Sequence, residues 1–386
     1  MSISRSKPTV PVLDTPAIGS KTSLKRKLPI NEREKKERSS EELPSREPDF
    51  FDPAGACHHS FWSDCVAQMA IDIAERQRKA SPCEFEFLKP KLVEYTFTVC
   101  VRLRLPNEVR FTAALILDTY LTRQLCLLRE FLQNKTMSPQ KKHREWENLE
   151  ANLERQIPLR VLTAIQISTK IHSYHDSLSS RQVVNTLRII GEPYTINAVL
   201  DSEERVFRQI GHCIPESPLE ACEMAVKILT HMLSKRKMEE AHRHNDLWQH
   251  VLIVLDVCFI NHIELYQRFL KKCPDILKEQ NKNRRSISQI KCDTLLLASA
   301  SVQTAFILCI GKKHLAAVAK ILNKFLRCVP EYVEPLKSSI IELALSKKVR
   351  SQVKNPFLII VFCIHTKVSH WGMPQTEGRI PKISFP

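Results

Sequence analysis

Apolar residues recur at three- and four-residue spacing through most of this chain, which predicts helices almost throughout. Trp62, Val66, Met69, Ala70 and Ile73 share one stripe, with Ser60 placed to cap it. Leu92, Thr96, Val99, Cys100 and Leu103 line one face of a helix over 89–104, which Pro106-Asn107 ends. Asn107 can cap the next helix, whose inward stripe is Ala113, Ile116, Leu117, Tyr120 and Leu121. The segment 134–156 is strongly charged and predicts an insertion, part loop and part surface helix. Pro158 then suits the first turn of a third helix, where its missing N–H costs nothing. In 161–171 the small Ala164 and Ser168 would let that helix sit deep between its neighbours. A fourth helix starts at Ser179 or Ser180, with Val183, Val184, Leu187 and Ile190 inward. A fifth starts at Thr195 or Asn197, with Val199, Val206 and Ile210 inward.

Beyond residue 217 the pattern stays helical in runs over 221–233, 247–270, 294–309, 315–328 and 336–345. The run Leu295, Leu296, Leu297, Ala298, Ser299, Ala300, Ser301, Val302 has the same small-residue character as 161–171. The expected fold class is therefore all-α. The expected domains are a tail at 1–52, a helical domain at 53–217 carrying the insertion, a C-terminal helical domain at 218–348 and a tail at 349–386. In the last tail, 357–364 reads as a strand or a buried segment.

Composition changes this picture in three ways. Seven glycines in 386 residues leave few of the turns a sheet needs. A net charge of +16 suggests acidic partners, such as nucleic acid or acidic protein surfaces, and a merely solvated basic exterior stays open beside them. Thirteen scattered cysteines with no CxxC pair, and no apolar leader, describe a reduced compartment with inert thiols such as Cys100, Cys126, Cys258 and Cys309. The longest apolar stretches, 251–260 and 357–364, are too short to span a bilayer, and Asp256 interrupts the first. No membrane association is expected.

Chemistry-bearing motifs are sparse. Cys57-His58-His59 with Cys65 fits no standard metal spacing, so no metal is expected. The chain has no glycine-rich phosphate loop, HExxH or GxSxG, so neither an enzyme nor a cofactor is expected.

The most specific stretch is LRLPNEVRFTAALILDTYL, residues 103–121. It resembles the cyclin family, in which a long helix ends in a leucine-polar-Asn-Glu turn and the next ends in aliphatic-Asp-aromatic-Leu. Here these are Leu105-Pro106-Asn107-Glu108 and Leu117-Asp118-Thr119-Tyr120-Leu121. Cyclins close their fifth helix with a Glu, a Leu seven residues on and an aromatic-x-Leu tail; this chain has Glu203, Ile210 and Ile214, with His212 in the aromatic slot. The resemblance implies a five-helix cyclin box followed by a second helical domain, either a divergent second box or a plain extension. It also implies a subunit that regulates a protein kinase.

By that resemblance, Lys170 and Glu203 (with Glu204 one position off) match the pair that grips the kinase helix carrying the catalytic glutamate. Ile171-His172-Ser173 stands where most cyclins are acidic. The substrate-docking patch of cyclins aligns with 88–95, where Leu88, Leu92 and Tyr95 keep apolar or aromatic character but Pro90 and Lys91 break the motif. Docking there is expected to be weak or absent. Within the family, one recognisable box, a basic tail and a poorly matching second half resemble the cyclin N-terminal domain-containing proteins of the meiotic, crossover site-associated branch. That implies a nuclear, chromosome-bound factor that marks and stabilises recombination intermediates during homologous recombination and DNA repair. Its implied partners are a cyclin-dependent kinase of the type-two class and meiotic recombination proteins. A non-activating scaffold, and a transcription-type or cell-cycle cyclin, stay open beside it.

Two short segments complete the reading. Lys25, Arg26 and Lys27, followed by Lys35-Lys36, read as a nuclear import signal. Whether this tail also touches DNA stays open. Ser138-Pro139-Gln140-Lys141 fits the preference of cyclin-dependent kinases, and a phosphate on Ser138 would add about −2 charge beside Lys141, Lys142 and Arg144.

Overall fold

The computed structural model describes residues 59–81, 83–172, 177–274 and 286–346. Among them are thirteen α-helices and no strand. In chain order these are α1 (Trp62–Lys79), α2 (Pro90–Arg102), α3 (Asn107–Asn134), α4 (Pro139–His172), α5 (Ser180–Ile189), α6 (Ile196–Gln209), α7 (Pro218–Lys235), α8 (His244–Ile260), α9 (His262–Lys272), α10 (Ile287–Lys291), α11 (Thr294–Cys309), α12 (Leu315–Phe325) and α13 (Pro330–Ala344).

Each half is built round one buried helix. In α4 every residue from Gln156 to Thr169 is buried, and the helix packs against α2, α3, α5 and α6. In α11 every residue from Thr294 to Phe306 is buried, and it packs against α7, α8, α12 and α13. Small side chains make this geometry accessible: Ala164 and Ser168 in α4, and Ala298, Ser299, Ala300 and Ser301 in α11, are all fully enclosed. Ser168 gives its hydroxyl to the Val109 carbonyl at 3.0 Å, so its polarity is met by α3 rather than by water.

The helix starts are locally encoded. Ser179 caps α5 in a reciprocal box with Gln182, and Thr195 caps α6 through Ala198 N–H. With few glycines, several helix ends instead use basic residues in the left-handed conformation: Arg104, Lys237 and Arg327 have φ of 54°, 55° and 55°. Each is followed by an N–H reaching back five residues, as Leu105 does to Cys100, Met238 to Leu233 and Cys328 to Asn323.

Several expectations need correction. The segment 134–156 is loop at 135–138 and surface helix from Pro139, but the third helix does not start at Pro158, because α4 runs unbroken from Pro139 through Pro158 to His172. An internal proline costs about 3 kcal/mol. Burial of Ile157, Leu159, Leu162 and Ile165 around it, at about 1.5–3 kcal/mol each, outweighs that cost. The run 247–270 divides at Asn261 into α8 and α9. Ile190 is exposed at the end of α5 instead of inward. Asn107 is the first residue of α3, and its side-chain oxygen accepts from Arg110. The α1 helix, grouped by sequence with 53–217, packs on α7, α10 and α11 of the C-terminal half.

The halves are joined through α2, α3 and α8. Phe97, Phe111 and Phe259 meet with ring centroids 5.0–6.2 Å apart. Beside them Arg110 of α3 grips Asp256 of α8 through both carboxylate oxygens, at 2.9 and 3.1 Å, and both side chains are buried. The guanidinium also lies 4.7 Å from the Phe111 ring centroid. Burial pushes the Asp256 carboxyl up from its ordinary value, and the Arg110 charge pulls it down.

A second buried carboxylate pins the entry to α2. Asp118 accepts from the backbone N–H groups of Phe85 and Phe87 at 2.9 and 3.0 Å. Phe85 sits at φ 65°, and the two bonds hold that turn. Burial raises the Asp118 carboxyl to about 7 against these donors.

Candidate functional site

The ends of α4 and α6 form an open groove of about 440 Å³, lined by Ile167, Lys170, Ile171, Leu200, Glu203, Glu204 and Phe207. Its construction begins one residue before Glu203. Ser202 is fully buried and bonds Arg160 Nη1 and Thr163 Oγ1 of α4, each at 2.6 Å. Arg160 is itself enclosed, giving a second bond to Gln156 at 2.7 Å with its guanidinium 5.4 Å from the Tyr120 ring centroid. This internal network fixes the rotation of α6 on α4. Val199, Ser202 and Val206 then face inward, and Ile196, Leu200 and Phe207 are left exposed. An amphipathic helix needs only one apolar face to pack; α6 carries two.

Lys170 and Glu203 meet at the floor of this groove as an ion pair. The Glu203 side chain is 18% exposed and that of Lys170 is 42% exposed. Exposed Ile171, Leu200 and Phe207 surround the pair. Glu204, the alternative one position off, pairs with Arg208 along its own helix. The chemistry on offer is one positive and one negative group beside an apolar wall. His172, where cyclins tend to be acidic, turns to Thr112 of α3 at 2.8 Å, and burial lowers its pKa.

The other candidate residues lie elsewhere. Leu88 and Leu92 are 2% and 4% exposed, so they belong to the core and not to a surface patch. Tyr95 is half-buried against that core, and burial raises its phenol to about 12. Their apolar character reflects packing. Ser138 is exposed in the turn between α3 and α4, and its Oγ accepts from Lys141 N–H at 3.4 Å at the head of α4. Lys25, Arg26 and Lys27, and Cys57 and His58, lie outside the described residues, as does 357–364. Among the described residues no group of His, Cys, Asp and Glu is arranged to hold a metal ion, and no helix is long and apolar enough to cross a membrane. Cys100 and Cys258 are buried, and burial lifts both thiols to about 12, which leaves them unreactive. Cys126 and Cys309 are half-buried.

Sequence reasoning missed the apolar half of the groove. Ile196, Leu200 and Phe207 recur at four- and seven-residue spacing on α6, offset from the stripe of Val199 and Val206. A second stripe on one short helix was the available signal.

No family model matches the chain. Two curated relatives share the same name, cyclin N-terminal domain-containing protein 1. The human protein is 24% identical over 239 residues, covering 61% of this chain and 70% of that protein. The mouse protein is 22% identical over 216 residues, covering 55% and 62%. With an all-helical architecture in which a buried central helix carries the groove, the similarity to these relatives supports a divergent cyclin-like family.

Proposed function

We propose that this chain is a regulatory subunit, not a catalyst, which uses the α4–α6 groove to hold a helix of a protein kinase. One observation carries the reading: Lys170 and Glu203, 33 residues apart in sequence, come together on an apolar, exposed wall. A kinase helix bearing its own catalytic glutamate would be positioned by such a clamp, which favours the ion pair that phosphoryl transfer needs. A cyclin-dependent kinase of the type-two class is the partner we infer from the family resemblance. The same resemblance supports a nuclear, chromosomal setting in which the protein marks and stabilises recombination intermediates that become meiotic crossovers. A scaffold that binds without activating is favoured by one feature: Ile171-His172-Ser173 follows the lysine where most cyclins are acidic, and His172 bonds Thr112 of α3 instead of offering a charge to the groove.

The test is co-purification of the full chain with the kinase, using wild type, Lys170→Ala/Glu203→Ala and Leu200→Asp/Phe207→Asp. Each double variant is expected to lose tenfold or more in affinity, about 1.4 kcal/mol. Undiminished binding by both would remove the groove as the interface. Binding without stimulation of kinase activity selects the scaffold.

A further inference from the structure

We infer that the outer face of α12, with the adjoining loops, is a docking surface for the phosphate backbone of duplex nucleic acid. Between Asp293 and Glu331 the chain has no carboxylate and five Lys or Arg residues: Lys312, Lys313, Lys320, Lys324 and Arg327. All five are exposed. Among the described residues none of the five takes part in an ion pair, although most other helices of this protein lace their surface charges into pairs, such as Lys79–Glu75, Lys227–Glu223 and Arg268–Glu264.

The arrangement follows from how α12 is held. Val318, Ile321, Leu322 and Leu326 are buried. Asn323 turns its Oδ1 to α11, accepting from Ser299 Oγ at 2.9 Å and Gln303 Nε2 at 3.1 Å. That polar lock sets the rotation of α12 and sends Lys320, Lys324 and Arg327 to the opposite side. At 1.5 Å per residue, the row from Lys313 to Arg327 covers about 20 Å, with one helical turn, about 6 Å, between Lys320 and Lys324.

A second basic segment adjoins its start. His314 reaches Glu240 at 3.6 Å, and Arg243 reaches Cys309 Sγ at 3.6 Å, so the loop after α7 lies beside the loop after α11. That loop brings exposed Lys235, Arg236 and Lys237. Of the acidic groups there, Glu240 faces His314 and Asp246 pairs with Arg243, and the exposed Glu239 is outnumbered by Lys235, Arg236 and Lys237. On α7, which packs against α12, Glu223 is paired with Lys227.

The face fits a uniform polyanion better than an acidic protein. Protein interfaces draw their energy from aromatic and large apolar anchors; apart from Lys320 and Lys324 the exposed residue of α12 is Ala316, and in the adjoining loops Val329 is the one large apolar residue exposed. A duplex presents a negative charge about every 1.7 Å of axis and asks only for spaced cations. Contacts of that kind position the protein and read no sequence.

The test is anisotropy of a labelled mixed-sequence duplex titrated with the full chain between 50 and 200 mM KCl. The variant Lys320→Gln/Lys324→Gln/Arg327→Gln is compared with Lys141→Gln/Lys142→Gln/Arg144→Gln, which removes equal charge from α4. The α12 variant is expected to flatten the slope of log K against log salt by about 2.7, three contacts at about 0.9 each, equally for two unrelated duplexes. The α4 variant is expected to leave the slope within one unit of wild type. Equal flattening by both, or none by the α12 variant, overturns the inference. So does tighter binding to poly-glutamate or to phosphatidylserine vesicles than to duplex at matched charge. Should the triple variant misfold by circular dichroism, Lys312→Gln/Lys313→Gln carries the same test with an expected slope change of about 1.8.

Discussion

Replacing Asp256 by Asn leaves a side chain of the same shape facing Arg110, but with one acceptor where there were two. The native pair makes two bonds, at 2.9 and 3.1 Å, and its side chains are 10% and 7% exposed. Removing one partner of so buried a pair costs about 3–5 kcal/mol, because the surviving charge keeps its desolvation penalty and loses its compensation. Asp256→Asn should therefore cost about 3–5 kcal/mol. Arg110→Met should cost a similar amount at pH 8 and less at pH 5. The sign follows from Asp256, whose pKa burial already raises. Without the guanidinium it rises further, so the carboxyl takes a proton and sheds its charge as pH falls. The stability linked to that proton is present at low pH and lost as pH rises through the folded pKa. Because the pair links α3 to α8, either single variant should also broaden the urea transition or split it in two. The assay is urea unfolding of wild type, both single variants and Arg110→Met/Asp256→Leu at each pH. The double variant should cost less than the sum of the singles by about 1.5 kcal/mol or more. Single costs under about 1 kcal/mol that add within about 0.5 kcal/mol would refute the argument, since contacting groups in one buried network do not add.

Three further outcomes are expected. Asp118, raised from 3.8 to about 7 by burial, contributes stability that is complete below pH 3.8 and lost as pH rises through about 7, so the part of the urea stability that declines between pH 4 and 8 should shrink in Asp118→Asn; an unchanged pH profile would count against it. Lys237→Gly should stabilise the protein by about 1 kcal/mol, because a side chain in the left-handed region costs roughly 1–2 kcal/mol, partly returned as unfolded-chain entropy; a lower midpoint in thermal unfolding would contradict this. Gln303→Leu should cost about 0.5–1.5 kcal/mol by removing one of the two hydrogen bonds that the half-buried Asn323 oxygen accepts, Ser299 keeping the other; an unchanged midpoint in the same assay would contradict this.

Much of this molecule was legible in the order of its residues. Helical periodicity, scarce glycine and the capping residues Ser179 and Thr195 are local properties, and they set the class of fold and most helix starts. The small residues of 161–171 and 295–302 marked the two central helices, because only small side chains let a helix approach neighbours on all sides. Lys170 and Glu203 could be named from the family pattern around them. Their meeting could not, since it depends on Ser202 locking α6 onto α4 through Arg160 and Thr163. Tertiary packing likewise decided the fate of three ambiguous signals. Leu88 and Leu92 are as apolar as a docking patch requires, yet the core claims them. Pro158 looks like a helix start, yet burial on both sides carries α4 through it. Asp256 seemed only to interrupt an apolar run, and its role appears once Arg110, 146 residues away, is brought against it. Local energies of a few tenths of a kcal/mol choose helix or turn, whereas the burial of whole side chains decides which residues meet, and that second sum is taken over neighbours the chain order does not show.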